Sequence, residues 1–352
     1  ITCRDWSSDV CSSDLVIDYH PWEQAFYELA LKCSAAVQAR RWTSLGDGRG
    51  YICSFNGPHS LFADTIRSLR AVVMGHRLGH SLMGENDVAT SLLARAVEHA
   101  RATAHYAVYY GRGRDAYDVR GRVAHESIFN LNDGNYRCPN SQQGYSPFST
   151  WTRGLAWVML GFAVPVEYLA TVGQEELASV GGRESVEGFM LEAARATCDF
   201  YIEQTPTDGI CYWDTGAPGL ARMGDYLARP ADPFNDHEPV DSSAAAIAAQ
   251  GLLRLGHYLA DRGQVKGSVK YTQAGLTVLR TLLGEPYLST DPEHQGLLHT
   301  VYHRPNGWDP IPAGQLVPCG ESCMWGDYHL REAALYVQRL AKEQTYYQFF
   351  GE

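Results

Sequence analysis

The stretch Ser141 to Trp157 places a guanidinium between two indole rings. Arg153 lies between Trp151 and Trp157, in a segment whose apolar residues recur at helical spacing. Indole faces stack on the apolar faces of sugar rings, and a guanidinium binds carboxylate. The stretch therefore predicts a pocket for a flat, polar, anionic ring. Burial of both tryptophans in an ordinary core is the alternative interpretation.

Four arginines fall within eleven residues of a chain whose net charge is -11. Because guanidinium groups bind carboxylates through paired hydrogen bonds, this loop indicates an anionic substrate and should fold over the pocket of Trp151. At least one of the four should point into that pocket. They are Arg112, Arg114, Arg120 and Arg122. The alternative is a structural network in which nearby acids neutralise them, namely Asp115, Asp118 and Glu126.

Apolar periodicity and capping residues predict eight long helices that would position these groups. Short extended pieces are expected at 51–55 and 208–213, and Pro165 should kink the fourth helix. The predicted helices are 22–41, 64–83, 88–110, 149–171, 185–204, 241–259, 267–283 and 327–341.

Four of the helices begin at capping residues separated by 85, 92 and 86 positions, namely Asp64, Ser149, Asp241 and Asp327. A near-constant interval of this kind is typical of a ring of helical hairpins. We therefore expect an all-α (α/α)6 toroid, with the inner-helix N-termini at one mouth. Six inner helices would close the ring and four can be placed. The toroid is thus expected to be incomplete at its N-terminus, where two inner helices and one outer helix would be missing upstream of Leu15. The helix at 22–41 should then show an apolar exposed flank.

Residues 1–15 have no apolar period and read like a translated sequencing adapter, so we expect a non-native segment there. Residues 16–352 are then a single catalytic domain, without a low-complexity linker. The acidic charge argues against nucleic acid as a partner, and no run of about 20 apolar residues predicts a membrane span. Localisation and oligomeric state stay open.

The nine cysteines include no CxxC pair and are expected to be mostly buried and reduced, with Cys319 and Cys323 a weak exception. His76 and His80 have the spacing of metal ligands, but a core role is favoured without a third ligand. No metal is expected.

Five ordered motifs resemble those of the unsaturated glucuronyl hydrolases, glycoside hydrolase family 88. They are GYSPFSTWTRGLAWVMLGF (144–162), DGICYWD (208–214), VDSSAAAIAAQGLL (240–253), GLLHTVYH (296–303) and WGDYHLREAAL (325–335). The resemblance covers about residues 50–340. It implies a six-hairpin glycosidase that removes a terminal uronic acid from an oligosaccharide, using aspartates without metal or cofactor.

The chain departs from that family at three points. Gln142 stands where the family has histidine, and Pro147 and Phe148 stand where it has two acids. The loop 109–134 has no clear counterpart. These features are more similar to the β-glucuronidases of family 154, which favours a saturated uronate over an unsaturated one.

Glycoside cleavage needs a proton donor and usually a second carboxylate. The resemblance assigns the first role to Asp64, for which a plain helix cap is the alternative. Burial near Phe55, Phe62 and Trp151 would raise the pKa of such a donor. The family's second aspartate would fall inside the replaced N-terminus, so Glu126, beside His125, is the candidate for a second acid.

The remaining candidates are sugar contacts. We expect stacking on Tyr145, Trp151, Trp157 and Trp325. Asp214, Asp241 and Asp327 match the family motifs, but their patterns indicate structural roles. The complete predicted binding set is Phe55, Arg112, Arg114, Arg120, Arg122, His125, Gln142, Tyr145, Trp151, Arg153, Trp157 and Trp325.

Other classes remain open, because the same toroid hosts sugar epimerases and polysaccharide lyases. An epimerase would place paired histidines at the mouth, and His299 and His303 come nearest to that. A carbohydrate-binding protein without turnover is a third possibility.

Overall fold

The computed structural model describes residues 24–45, 49–303 and 309–345. Within these ranges eight helices of nine or more residues form the body of the protein, which confirms the predicted number. A short ninth helix, α5, is Gln174–Ala178. The long helices are α1 Gln24–Arg40, α2 Leu69–Arg77, α3 Leu92–Tyr106, α4 Thr152–Thr171, α6 Arg183–Glu203, α7 Ser242–Asp261, α8 Val265–Leu282 and α9 Met324–Ala341. The expected foreign segment 1–15 lies outside the described residues.

The helices alternate between an inner and an outer position. Helix α4 packs against α6 and α7, and α7 packs in turn against α8 and α9. Helix α2 packs against α1 and α3, and the 3-10 helix Ala63–Ser68 that precedes it packs on α4. The inner positions are therefore occupied by α2, α4, α7 and α9, with α3, α6 and α8 outside them.

Three of the four predicted helix starts need correction. Trp151, rather than Ser149 or Thr150, is the N-cap of α4, and it provides no side-chain cap. Asp64 lies in the first turn of the 3-10 helix, whose N-cap is Phe62. Asp327 lies in the first turn of α9, which Cys323 caps. Asp241 is the prediction that holds, because its carboxylate accepts from the backbone N–H groups of Ser243 and Ala244.

Short antiparallel strands support the loops at the mouth. A three-stranded sheet has the order β3-β6-β7, and its strands are Ser60–Phe62, Glu126–Phe129 and Tyr136–Asn140. The pairs β1–β2 (Trp42–Ser44, Gly50–Ile52) and β4–β5 (Leu82–Met83, Ala89–Thr90) are two-stranded. Within 208–213, all of which the structure describes, the expected strand is reduced to one isolated bridge, from Tyr212 to Val240.

Helix α4 is covered on nearly every side. Its length and mean hydropathy of 1.4 would allow it to cross a membrane, but 89% of the apolar window is buried inside the protein, as in a core helix. Gly161 lets it approach the 3-10 helix, because a Cβ there would lie 2.3 Å from Cγ2 of Ile66. Close packing at this glycine holds the segment that carries Asp64 against α4.

A buried ion-pair network joins the four inner helices. Arg254 of α7 lies 2.8 Å from Glu167 of α4 and 3.0 Å from Glu332 of α9. Arg70 of α2 lies 3.3 Å from the same Glu332. Burial by itself would raise the pKa of Glu332, but Arg70 and Arg254 outweigh it and hold that pKa below its usual value. Burial raises the pKa of Glu167, with Arg254 opposing.

The outward face of α1 is apolar. Phe26, Leu29 and Val37 are each at least half exposed. The sequence predicted an apolar exposed flank on this helix, and the described part of α1 has one. Single exposed apolar residues are common, but a stripe along one helix is typical of a surface that packs against something else.

Candidate active site

Asp64 and His125 are brought together by the continuation of the β3–β6 pairing. The backbone N–H of Ala63 donates to the carbonyl of His125 at 2.8 Å. Asp64 follows directly, and its Oδ1 lies 3.9 Å from Nε2 of His125. The Asp64 side chain is 15% exposed, whereas that of His125 is buried. A carboxylate within reach of solvent thus faces a buried imidazole.

The His125 ring is neutral, and its hydrogen bonds fix its tautomer. Burial, together with the charge of Arg153, lowers the pKa of His125 to about 3. Its Nδ1 accepts from the backbone N–H groups of Gln142 and Gln143 at 3.0 and 3.3 Å. The hydrogen must therefore be on Nε2, which faces Asp64.

Aromatic rings enclose this pair. The His125 ring lies 4.7 Å from the ring of Phe62 and 4.7 Å from that of Trp151, between centroids. Phe55 continues the wall, with its ring 5.1 Å from Phe62. The structure therefore places Asp64, His125, Phe55 and Trp151 in one cluster, as the sequence predicted for the aromatic neighbours of Asp64.

Arg153 is held by the protein itself. Its guanidinium lies 2.9 Å from Asp241 Oδ2 and donates to the carbonyl oxygens of Tyr302 and His303. It also lies between the rings of Trp151 and Trp325, at 4.8 and 5.3 Å. With these partners Arg153 orders the wall of the site, and a carboxylate ligand would have to displace them.

Trp157 lies deeper than the predicted pocket. It is 2% exposed, and its ring packs at 5.2 Å against His329 and under the guanidinium of Arg67. Its faces belong to the core between the inner helices. The core alternative considered from the sequence fits Trp157, whereas Trp325 is partly exposed and donates from Nε1 to Ser243 at 3.2 Å.

The arginine loop folds over the turn that leads into α4. Tyr117 of the loop stacks on Phe148 with ring centroids 4.5 Å apart. Arg122 is buried, lies 3.8 Å from the ring of Tyr109, and donates to the carbonyl of Pro147 at 3.2 Å. Arg122 is thus the arginine that contacts the turn.

The other three arginines are engaged away from Trp151. Arg112 pairs with Glu192, and Arg120 pairs with Asp199 at 2.7 Å, both acids of α6. Arg114 lies over the rings of Tyr109 and Tyr136. Neutralisation does occur, through acids of α6 for Arg112 and Arg120 and, among the three acids near the loop, through Asp115, which lies 3.9 Å from Arg122. Asp118 instead accepts from backbone N–H groups of the loop.

Glu126 points to the other side of the strand from His125. It is 1% exposed, and Oε1 accepts from Asn56 at 3.1 Å and from the hydroxyl of Ser60. Its Oε2 accepts from Asn140 at 2.6 Å. The sequence did not single out these partners, although Asn140 directly precedes the motif stretch and could have been considered with it.

The turn before α4 is anchored by Asp214. This buried carboxylate accepts from the backbone N–H groups of Tyr145 and Gly216, both at 2.8 Å. The side chain of Tyr145 is 53% exposed, and that of Gln142 is also exposed. Both remain free to contact a ligand.

Histidines elsewhere have structural partners. His76 contacts the Tyr168 hydroxyl and lies 2.9 Å from Glu176, and His303 pairs with Asp309. His299 stacks on His294. Among the residues that the structure describes, no group of three or more His, Cys, Asp or Glu side chains could hold a metal ion.

Comparison with solved structures defines the fold. A structure described as the unsaturated glucuronyl hydrolase of Bacillus sp. GL1 superposes with a TM-score of 0.68 and 22% identity, over 97% of this chain and 76% of that one. The enzyme from Streptococcus agalactiae gives 0.62 and 22%, over 96% and 71%. The protein is therefore an α/α toroid, as the helix spacing predicted.

The curated relatives agree with the motif resemblance. The chain is 28% identical over 217 residues to the unsaturated glucuronyl hydrolase of Bacillus sp. strain GL1, covering 61% of this chain and 46% of that protein. It is 28% identical over 247 residues to that of Formosa agariphila, covering 70% and 48%. The unsaturated chondroitin disaccharide hydrolase of Streptococcus pyogenes serotype M1 is 28% identical over 199 residues, covering 55% and 39%.

The chain spans about half the length, or less, of the curated relatives it matches. No family model matches it. The predicted resemblance to unsaturated glucuronyl hydrolases is confirmed, and the loop likeness to family 154 stays a prediction.

Proposed function

We propose that this protein is a glycoside hydrolase that removes a terminal uronic acid from an oligosaccharide, with Asp64 as general acid. The observation that carries the proposal is the Asp64–His125 pair, a partly exposed carboxylate facing a buried neutral imidazole within an aromatic wall. The similarity to unsaturated glucuronyl hydrolases supports the same reaction class.

In this mechanism the carboxyl of Asp64 delivers its proton to the glycosidic oxygen as the bond to the uronic acid breaks. The Nε2–H of His125 faces Oδ1, so its dipole favours the acidic proton on Oδ2. Because the lowered pKa of His125 keeps its ring neutral, the ring does not take up the proton of Asp64. The resulting carboxylate then takes a proton from a water molecule as the oxygen of that water bonds to the anomeric carbon, which completes the hydrolysis and restores the acid.

The wall of the site adds a hydrogen-bond donor. The indole Nε1–H of Trp151 is buried and has no hydrogen-bond partner among the described residues. An unmade bond to a buried donor costs about 1–3 kcal/mol, and a substrate oxygen would remove that cost. The position that the resemblance gives to a second aspartate lies in residues that the structure does not describe.

The form of the uronate is the finer part of the proposal. Gln142, Pro147 and Phe148 support a saturated glucuronate, as in a β-glucuronidase. The names of the curated relatives support an unsaturated one. A chromogenic β-glucuronide and an unsaturated disaccharide, assayed side by side, separate the two substrates. Failure of both would contradict hydrolysis and leave an epimerase, lyase or binding protein.

Asp64→Asn tests the general acid. The substitution keeps size but removes the titrating proton, so we expect turnover to fall by about 10²–10⁴-fold with an unchanged melting temperature. Asp133→Asn, an exposed acid in the β6–β7 turn, is the matched control and should retain parental rate. Parental turnover by a well-folded Asp64→Asn protein would exclude Asp64 as the acid.

A further inference from the structure

The hydrogen bonds around Glu126 join three exposed amides beside the site. We propose that Glu126 is a positioning residue that orients Asn56, Asn140 and Gln142, so that Asn140 and Gln142 present amide oxygens to hydroxyl groups of the bound sugar. This rests on the proposed function, and it gives Glu126 a role other than that of a second acid.

The network begins at a carboxylate that solvent does not reach. Glu126 is 1% exposed and accepts through both oxygens, from Asn56 Nδ2 at 3.1 Å and from Asn140 Nδ2 at 2.6 Å. Asn56 in turn accepts through Oδ1 from Gln142 Nε2 at 3.2 Å. Asn56, Asn140 and Gln142 are themselves exposed. A buried group therefore orders side chains on the surface.

The direction of each bond follows from chemistry. A carboxylate can only accept, so Asn56 and Asn140 must both turn their NH₂ groups toward Glu126. Asn56 then has only its oxygen for Gln142, which must donate. As a result the amide oxygens of Asn140 and Gln142 face away from the network. Neither oxygen has a hydrogen-bond partner among the described residues.

The amide network adjoins the Asp64 site. The backbone N–H of Gln142 is one of the two donors to Nδ1 of His125, whose other nitrogen faces Asp64. Two exposed aromatic side chains lie close in sequence to the network. Phe55 directly precedes Asn56 and is 43% exposed, and Tyr145 follows Gln142 by three positions and is 53% exposed. Fixed polar groups next to exposed aromatic rings are typical of sugar binding.

The chemistry of the exposed oxygens selects the ligand group. Two amide oxygens repel a carboxylate and accept from hydroxyl groups. We therefore assign to this network the neutral hydroxyls of the sugar, and not its carboxylate. Pre-orientation lowers the entropy that the long Gln142 side chain would lose on binding.

Glu126→Gln tests the network, because the new amide must donate on one side. Whichever way it turns, one of the exposed amides must reverse. We expect KM for the hydrolysed uronide to rise about tenfold to a hundredfold, with kcat within about threefold of the parent and an unchanged pH profile. Asp133→Asn in the same hairpin is the control and should change neither constant.

Combining Asn56→Asp with Glu126→Gln provides the rescue. The introduced glutamine then donates to the introduced aspartate and still accepts from Asn140. The aspartate still accepts from Gln142, so both exposed oxygens keep their direction. We expect KM to return to within about threefold of the parent, although position 126 no longer carries an acid.

Three results would overturn the proposal. An unchanged KM in Glu126→Gln would show that the carboxylate orients nothing. A large loss of kcat with a lost limb of the pH profile, not rescued by the double variant, would make Glu126 a catalytic acid. The third result is a rise in KM that the double variant does not reverse. This is the result expected if Glu126 only stabilises the local structure and does not orient the amides.

Binding separates this proposal from hydrolysis. Calorimetry with the glucuronide and the Asp64→Asn protein, with and without Glu126→Gln, measures affinity without turnover. If the parent cleaves no uronide but the affinity still drops about tenfold or more with Glu126→Gln, hydrolysis fails and the amide network stands. If Asp64→Asn binds the glucuronide equally well with and without Glu126→Gln, the proposed role of the network is wrong, whichever substrate the parent protein hydrolyses.

Discussion

At the scale of single residues, three buried histidines should make the stability of this protein depend on pH. Burial lowers the pKa of His99 and of His125 to about 3, and lowers that of His329 well below its usual value. Each ring has a polar neighbour at Nδ1, such as the N–H of Ile52 at 3.1 Å from His99. The folded protein thus keeps three imidazoles neutral that the unfolded chain would protonate near pH 6.5.

The sign of the pH effect follows. Since the folded pKa lies below the unfolded one, the stability contributed by a neutral histidine is complete above about pH 6.5 and is lost as pH falls toward 3. We expect each histidine to remove up to about 1.4 kcal/mol per pH unit below 6. Urea unfolding at pH 7, 6 and 5 measures this. His99→Gln should flatten the slope, whereas the exposed His237→Gln should not, and equal slopes would contradict the assignment.

Single residues also mark the limit of inference from sequence. The aromatic surroundings of Asp64 were predictable, because Phe55, Phe62 and Trp151 lie in segments that follow one another in the same order as in the family that the sequence resembles. The partners of Arg112 and Arg120 were not, because Glu192 and Asp199 follow about 80 positions later on another helix. Nearby acids in the sequence were a poor guide to charge pairing across the fold.

At the scale of elements, helices were predicted well and their first residues poorly. Ser149 and Thr150 have the side chains of caps, but the Thr150 hydroxyl bonds to the backbone of Val123 instead. The N–H of Thr152 donates to the carbonyl of Trp213. A tertiary contact thus supplies what a cap would provide, and local sequence cannot reveal it.

The turn from Ser141 to Thr150 depends on Asp214. Asp214→Asn leaves one acceptor for two backbone donors, so the N–H of Tyr145 or Gly216 loses its partner. We expect hydrogen exchange at Tyr145 to accelerate by about tenfold or more, together with slower turnover of a uronide. Asp208→Asn is the matched control, since Asp208 also accepts from two backbone N–H groups, those of Ile210 and Ala231. Faster exchange at Tyr145 in both variants would mean general loosening.

For the whole molecule, the near-constant spacing of inner helices was enough to predict the toroid. What spacing could not predict is the polar centre of the ring, because Arg254, Glu167 and Glu332 lie on three different helices and only the folded chain brings them together. The apolar flank of α1 was expected from the count of inner helices. The spacing of the helix starts therefore predicted which helices lie inside the ring, and the structure shows that buried ion pairs connect these helices.

Arg254→Met tests the polar centre. It leaves Glu167 buried without its guanidinium, and breaking a buried pair in this way costs about 3–5 kcal/mol. Chemical denaturation should show that loss in the free energy of unfolding. Arg280→Met, at an exposed position of α8, should change it by less than about 0.5 kcal/mol. Similar stability of the two variants would mean that the network contributes little.

The same ion network should couple the formation of the four inner helices to one another. Repeat proteins usually gain stability one neighbour at a time, so their partial arrays can persist. Here the charges of Arg70, Glu167, Arg254 and Glu332 come from four helices spread over most of the chain. Any intermediate that lacks one of those helices must leave a charge exposed to water or buried alone. We therefore expect intermediates that lack α9 to gain little from the polar centre, and the packing of the four inner helices to be completed together with α9.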